Sequence, residues 1–130
     1  MILLDTHVIV WLASDERRLS RAAKAAIDEA RQADSGLAIS DFTLYELSLL
    51  SRKKEIGLVI SLELFLSEVE KRFVVLPITG QVCVKALSLP AGYPKDPADR
   101  IIGATALVEG IPLITADREI RKSRALATIW

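Results

Sequence analysis

The segment Ile2-Leu3-Leu4-Asp5-Thr6-His7-Val8-Ile9-Val10-Trp11-Leu12-Ala13 decides how the chain folds. A short apolar run stops at an acid, and a second apolar run without glycine or proline follows at once. The first piece suits a buried strand and the second a helix, with Asp5 at the junction in the place of a cap. The same handover recurs downstream. Leu37 to Ser40 reads as a second strand, and Asp41 is placed to cap a helix reaching about Lys54. Phe73 to Leu76, β-branched and aromatic, reads as a third strand, Pro112 to Thr115 as a fourth, and a last one lies near Thr128. Helices are expected from Ser20 to a stop before Gly36, over Ser61 to Arg72, Thr79 to Leu87 and Pro97 to Glu109, with a short helical turn after Asp117. This alternation predicts an α/β fold, a three-layer α/β/α sandwich with a mainly parallel central sheet.

Composition narrows the chemistry. At 130 residues the chain is expected to form one domain, residues 1–130. His7 and Cys83 are the only residues of their types, whereas a Cys/His zinc site needs about four such ligands. Zinc of that kind is excluded, as is an internal disulfide, and Cys83 is expected to be a small core residue. Mean hydropathy is positive at +0.32. The apolar residues are nevertheless dispersed in runs such as Val8 to Ala13, far short of the roughly twenty needed to span a bilayer. The start lacks a basic segment and carries Asp5 inside its apolar stretch, unlike an export signal. A soluble cytoplasmic protein is the expectation. The 17 Lys+Arg balance 17 Asp+Glu, so net charge supplies no attraction for nucleic acid.

Most of the acids lie among other polar residues, and four do not. Asp5 and Asp117 each follow a predicted strand. Each could be a mere cap or turn residue, but ligands of open parallel sheets bind at that edge. Glu46 falls within the apolar arc of Phe42, Tyr45, Leu49 and Leu50 on the helix from Asp41. A carboxylate there must be paired, for which Lys53 is a candidate, or hold a cation. In Asp96-Pro97-Ala98-Asp99-Arg100, Asp96 suits the cap and Pro97 the first helical position. Asp99 then shares a face with Ile102, Gly103 and Ala106, small and apolar positions suited to packing on a sheet. Acids gathered at one edge raise one another's pKa unless a cation neutralises them. Oxygen ligands alone select Mg²⁺ or Mn²⁺, ions that serve phosphate chemistry. From the residues, an acidic divalent-metal site for phosphoryl or phosphodiester chemistry stands beside two alternatives. One is a phosphatase or phosphoryl-acceptor domain, and the other a non-catalytic binding module in which the acids only cap and turn.

Leu3-Leu4-Asp5-Thr6, Tyr45-Glu46-Leu47, Asp96-Pro97-Ala98-Asp99-Arg100-Ile101-Ile102 and Leu113-Ile114-Thr115-Ala116-Asp117, taken in order, resemble the PIN domain and, more narrowly, VapC-type toxins of toxin–antitoxin pairs. The resemblance runs nearly end to end. It implies a Mg²⁺-dependent endoribonuclease, with Mn²⁺ able to substitute, that cuts RNA such as tRNA with a metal-activated water. It also implies that Asp5, Glu46, Asp99 and Asp117 are the metal-binding and catalytic acids, with Thr6, Asp96 and Thr115 in support. A homodimer silenced by a VapB-like antitoxin is implied as well, with no membrane association. Many relatives carry a His just before the Asp-Pro-x-Asp motif, where this chain has Gly92-Tyr93-Pro94-Lys95. RNA binding requires cations near the acids. Arg100 and Arg118, each one residue from a proposed ligand, are the expected contacts, while Arg17-Arg18 and Lys71-Arg72 read as solvated surface.

Overall fold

The computed structural model describes residues 1–130. Five short parallel strands form one sheet: β1 (Ile2–Leu4), β2 (Leu37–Ser40), β3 (Val74–Leu76), β4 (Leu113–Ile114) and β5 (Thr128–Ile129), in the order β3-β2-β1-β4-β5. The helices between them are α1 (Thr6–Ser14), α2 (Arg21–Gln32), α3 (Asp41–Arg52), α4 (Leu62–Arg72), α5 (Gly80–Leu87), α6 (Pro97–Glu109) and α7 (Arg118–Ser123). A single 3₁₀ turn, Glu16–Arg18, links α1 to α2 and has no counterpart among the expected elements.

Side chains alternate across the strands, which sorts them into two apolar layers. Leu4, Leu37, Ile39 and Ile114 pack with Val8, Ile9, Ala23, Ile27 and Leu47 on one face of the sheet. Leu3, Ala38 and Leu113 face Tyr93, Ile102, Ala106 and Ile120 on the other. Both faces are therefore covered, and the sandwich architecture expected from the alternation is the one observed.

The sheet order also fixes where a ligand can approach. From β1 the chain moves outward through β2 to β3, then returns through α5 and α6 to place β4 on the opposite side of β1. The order reverses between β1 and β4, and beyond the carboxyl ends of such strands a crevice opens. Asp5 and Thr115 are the residues that immediately follow these two strands.

Helix starts follow the side-chain oxygens available to satisfy free backbone N–H groups. Asp5, Ser20, Ser61, Thr79, Asp96 and Asp117 each accept from the first turn of the helix they precede. The cap of α3 is Ser40 and not Asp41, because the Ser40 hydroxyl accepts from the Phe42 amide. Asp41 instead lies within the helix, and its carboxylate accepts from the amide of Ile78. Cys83 is exposed, contrary to its expected place in the core. Val82 and Ala86 form the buried stripe of α5 against Ala104, and Cys83 lies off that stripe.

The small residues of α6 serve a different neighbour from the sheet. Gly103 lies against the ring of Tyr93, and a Cβ at this position would overlap the tyrosine hydroxyl. Tyr93 is 2% exposed and donates its hydroxyl to the carbonyl of Asp99 at 2.7 Å. Overpacking a core contact costs about 1–3 kcal/mol. Gly103→Ala is thus expected to lower the unfolding free energy from denaturant titration by that amount, and Tyr93→Phe in the same chain to recover part of it. Gly92→Ala, where a Cβ meets open space, is expected to leave the unfolding free energy unchanged within about 0.5 kcal/mol.

Candidate functional site

Asp5 is only 4% exposed, so both of its oxygens need donors. Oδ1 accepts from the Thr6 amide at 2.9 Å, and Oδ2 accepts from the Thr115 hydroxyl at 2.7 Å. The Thr115 hydroxyl accepts in turn from the Asp117 amide at 3.1 Å. One threonine therefore ties the end of β4 to the end of β1 and sets the loop that carries Asp117. Asp117 Oδ1 receives the amides of Glu119 and Ile120 as the cap of α7, which leaves Oδ2 free of protein donors.

Glu46 is held from the other side. The Thr6 hydroxyl donates to Glu46 Oε1 at 2.6 Å and lies 3.0 Å from the Thr43 hydroxyl. With Glu46 ionised, Thr6 gives its proton to the carboxylate and accepts from Thr43. Thr43 is fully buried and stands one turn before Glu46 on the same helical face. The buried side of α3 is Thr43 and Leu47, and Tyr45 of the expected apolar arc is exposed, so that arc is not the core face and did not single Thr43 out. Lys53, the possible salt-bridge partner of Glu46, makes no ion pair with it.

Asp99 comes from the first turn of α6, where Asp96 takes the cap by accepting from the Ala98 amide. Tyr93 fixes this turn through the Asp99 carbonyl, a role with no signal other than a large aromatic just before the motif. Asp5, Glu46 and Asp99 line a common cleft of about 300 Å³ with Thr6, His7, Val10 and Trp11. Asp117 and Asp96 do not line it, although both lie near enough to act on Asp99 electrostatically. The His7 ring closes one side of the group. Its Nε2 accepts from the Ala116 amide at 3.0 Å, so the ring's proton resides on Nδ1, 3.5 Å from Asp5 Oδ2.

The electrostatics are one-sided. No Lys or Arg forms an ion pair with Asp5, Glu46, Asp99 or Asp117. Burial pushes the Asp99 carboxyl up to about 7, with Asp5, Asp96, Asp117 and Glu46 adding repulsion. Glu46 is raised too, chiefly by burial, with Asp5 and Asp96 adding to it and the Thr6 hydrogen bond opposing. The burial of Tyr93 beside Asp99 holds its phenol well above the usual range. Arg100, an expected substrate contact, donates to the Ala86 carbonyl at the end of α5. Arg118 is exposed at the start of α7.

The donor set suits a hard divalent cation, as uncompensated oxygens converge on one crevice. The fit is not that of a preformed cage. No three His, Cys, Asp or Glu side chains stand close enough to enclose a single ion. Mg²⁺ commonly takes one or two carboxylates directly and keeps waters for the rest, so such an ion does not require a cage of three.

A PIN-domain family model matches residues 2–126. The chain belongs to the PIN-domain family. This PIN domain is 37% identical over 131 residues to Ribonuclease VapC22 of Mycobacterium tuberculosis, covering 99% of this chain and 98% of that one. Its fold is shared with DNA-bound VapBC from Salmonella typhimurium, at 23% identity and a TM-score of 0.70 over 98% of this chain and 95% of that one. FitAcB from Neisseria gonorrhoeae aligns with a TM-score of 0.69 and 21% identity over 98% and 96%. No helix of this PIN domain is long and apolar enough to cross a membrane.

The raised Asp99 sets a pH dependence. The folded carboxyl titrates near 7 and the unfolded one near 3.8, so between these values the folded state binds more protons. Stability of the metal-free protein is therefore expected to fall as pH rises from about 4 to about 7 and to level off above. Melting curves across this range test it. Asp99→Asn should flatten the slope and raise the melting temperature at pH 8.

Proposed function

We propose that this protein is a Mg²⁺-dependent endoribonuclease, the toxin of a type II toxin–antitoxin pair, built as one PIN-like domain over residues 1–130. The observation that carries the proposal is the convergence of Asp5, Glu46 and Asp99 on one cleft, with Asp117 nearby and no cation of the chain to neutralise them. The 37% identity to Ribonuclease VapC22 supports the assignment to RNA hydrolysis. Relatives of similar fold in complexes called toxin–antitoxin and VapBC support a VapB-like antitoxin as partner. A homodimer, a cytoplasmic location and a structured RNA such as tRNA belong to the same proposal.

Asp5, Glu46, Asp99 and Asp117 are the proposed holders of Mg²⁺, with Mn²⁺ as substitute. A bound divalent cation would supply charge neutralisation, polarise the scissile phosphate and lower the pKa of a water. The chain's own residues set the geometry. Thr115 and the Thr6 amide fix both Asp5 oxygens, and the Thr6 hydroxyl aims Glu46. Asp96 starts α6 and thereby presents Asp99, whose carboxyl no protein donor occupies. Asp99, whose carboxyl is raised to about 7, would give up its proton to a cation entering the cleft, and this would couple cation binding to pH. Arg118 is the proposed phosphate contact, while Arg100 is partly committed to Ala86.

Cleavage of a labelled tRNA pool with Mg²⁺ or Mn²⁺, and its loss in EDTA, tests the reading. Asp5→Asn and Asp99→Asn are each expected to reduce cleavage by more than about a hundredfold. Thr115→Val, which leaves Asp5 Oδ2 without its hydroxyl, is expected to cost about 10–100-fold. Undiminished cleavage in EDTA or in Asp99→Asn would remove this site from the reaction.

A further inference from the structure

One stretch of the cleft lining is aromatic, His7 and Trp11, set beside Val10, Leu50, Ile56 and a further acid, Glu55. Trp11 lines the cleft, with its ring centroid 4.8 Å from that of His7, and His7 Nδ1 lies 3.5 Å from Asp5 Oδ2. Trp130 supports Trp11 from another direction at 5.7 Å. The guanidinium of Arg18 lies on the Trp11 ring, 4.4 Å from its centroid. A continuous row of contacts thus runs from an exposed cation through Trp11 and His7 to the buried carboxylate of Asp5.

Arg18 differs from its cationic neighbours in what occupies it. Arg17 donates Nε to Asp15 Oδ1 at 2.9 Å, and Lys24 stands 3.9 Å from Glu16. Lys71 and Arg72 both pair with Glu68, and Arg100 donates to a backbone carbonyl. Arg18 forms no ion pair and is the only cation seated on an aromatic ring. The turn that carries it is pinned at both ends. Asp15 accepts from the Arg17 amide at its start, and Leu19, 8% exposed, enters the core at its end. Arg18 forms no ion pair, although its charge acts on nearby Asp15. Its guanidinium rests against Trp11, so part of the side chain's freedom is already lost before a phosphate binds.

We propose that Arg18, seated on Trp11, is an RNA-phosphate contact that grips the substrate strand along the aromatic stretch of the cleft. The inference rests on the ribonuclease reading and assigns to that site a contact outside the acid motifs. A strand with a phosphate among the acids would pass over His7 and Trp11 before a phosphate farther along it reaches Arg18.

The test uses fluorescence anisotropy with a labelled single-stranded 12-mer oligoribonucleotide, in an Asp99→Asn background that does not cleave, across a salt series. Arg18→Ala is expected to weaken binding by about three- to tenfold at low salt. The slope of log K against log salt should also become shallower by about 0.7, the value for one phosphate on a single strand. Arg18→Lys should keep the slope and lose part of the affinity. Arg17→Ala, which removes an equal but paired charge one residue away, is expected to change binding by less than twofold. Equal effects of Arg17→Ala and Arg18→Ala, or no effect of either, would overturn the role of Arg18 and leave the ribonuclease reading standing. If the 12-mer fails to bind and the unmutated protein fails to cleave RNA, that reading falls and this one falls with it.

Discussion

A carboxylate buried at the end of a central strand must find hydrogen-bond donors or cost several kcal/mol. Asp5 finds them from two directions. The Thr6 amide is local and comes with the start of α1, but the Thr115 hydroxyl belongs to the other end of the chain. It reaches Asp5 only because β4 lies beside β1 in parallel register, Leu4 opposite Ile114. The central strand pairing and the geometry of the acid cleft are thus one arrangement. Whatever loosens β4 from β1 also unbinds Asp5 and frees the loop of Asp117.

The same crevice works against the fold's stability. Burial and mutual repulsion act on Asp99 and Glu46 together, and no basic side chain relieves them. The cost is carried by the two apolar layers on either side of the sheet. Acids satisfied internally would have no charge left for the proposed cation. Apolar burial on both faces and unrelieved acids at one edge would together favour the cation-loaded state of the proposed site.

Much of this was legible in the sequence because the relevant signals were local. Short apolar runs ending at Asp5, Ser40 and Thr115 marked the strands, and helix-starting acids marked the junctions after them. Glu46 stood out as a charge on an apolar arc, and the structure places it in the cleft beside Asp5. The failures concern contacts between distant segments. The identity of the α3 cap turned on which of two adjacent oxygens faced the helix, and Asp41 was diverted to Ile78 from a different part of the chain. The burial of Cys83 depended on which stripe of an apolar helix met α6. Tyr93 and Gly103 form a tight pair that neither residue announces alone. Arg18 is exposed, as a solvated surface residue should be, but its contact with Trp11, seven residues away across a turn with no periodic pattern, was not legible.

The sheet order has a temporal side. Asp5 and Thr115 are separated by 110 positions, and β5, which flanks β4, lies later still. During synthesis the amino-terminal strand, with Asp5 and later Glu46, leaves the ribosome long before the strand that completes their surroundings. Until β4 inserts beside β1, the acids belong to an unfinished sheet with its central strand at an open edge. No amino-terminal fragment, nascent or clipped, can hold Asp5 in its final geometry. The contacts among Asp5, Thr6, Thr43 and Glu46 are internal to the first half of the sheet, and the crevice is completed when β4 docks beside β1 and brings Thr115 to Asp5.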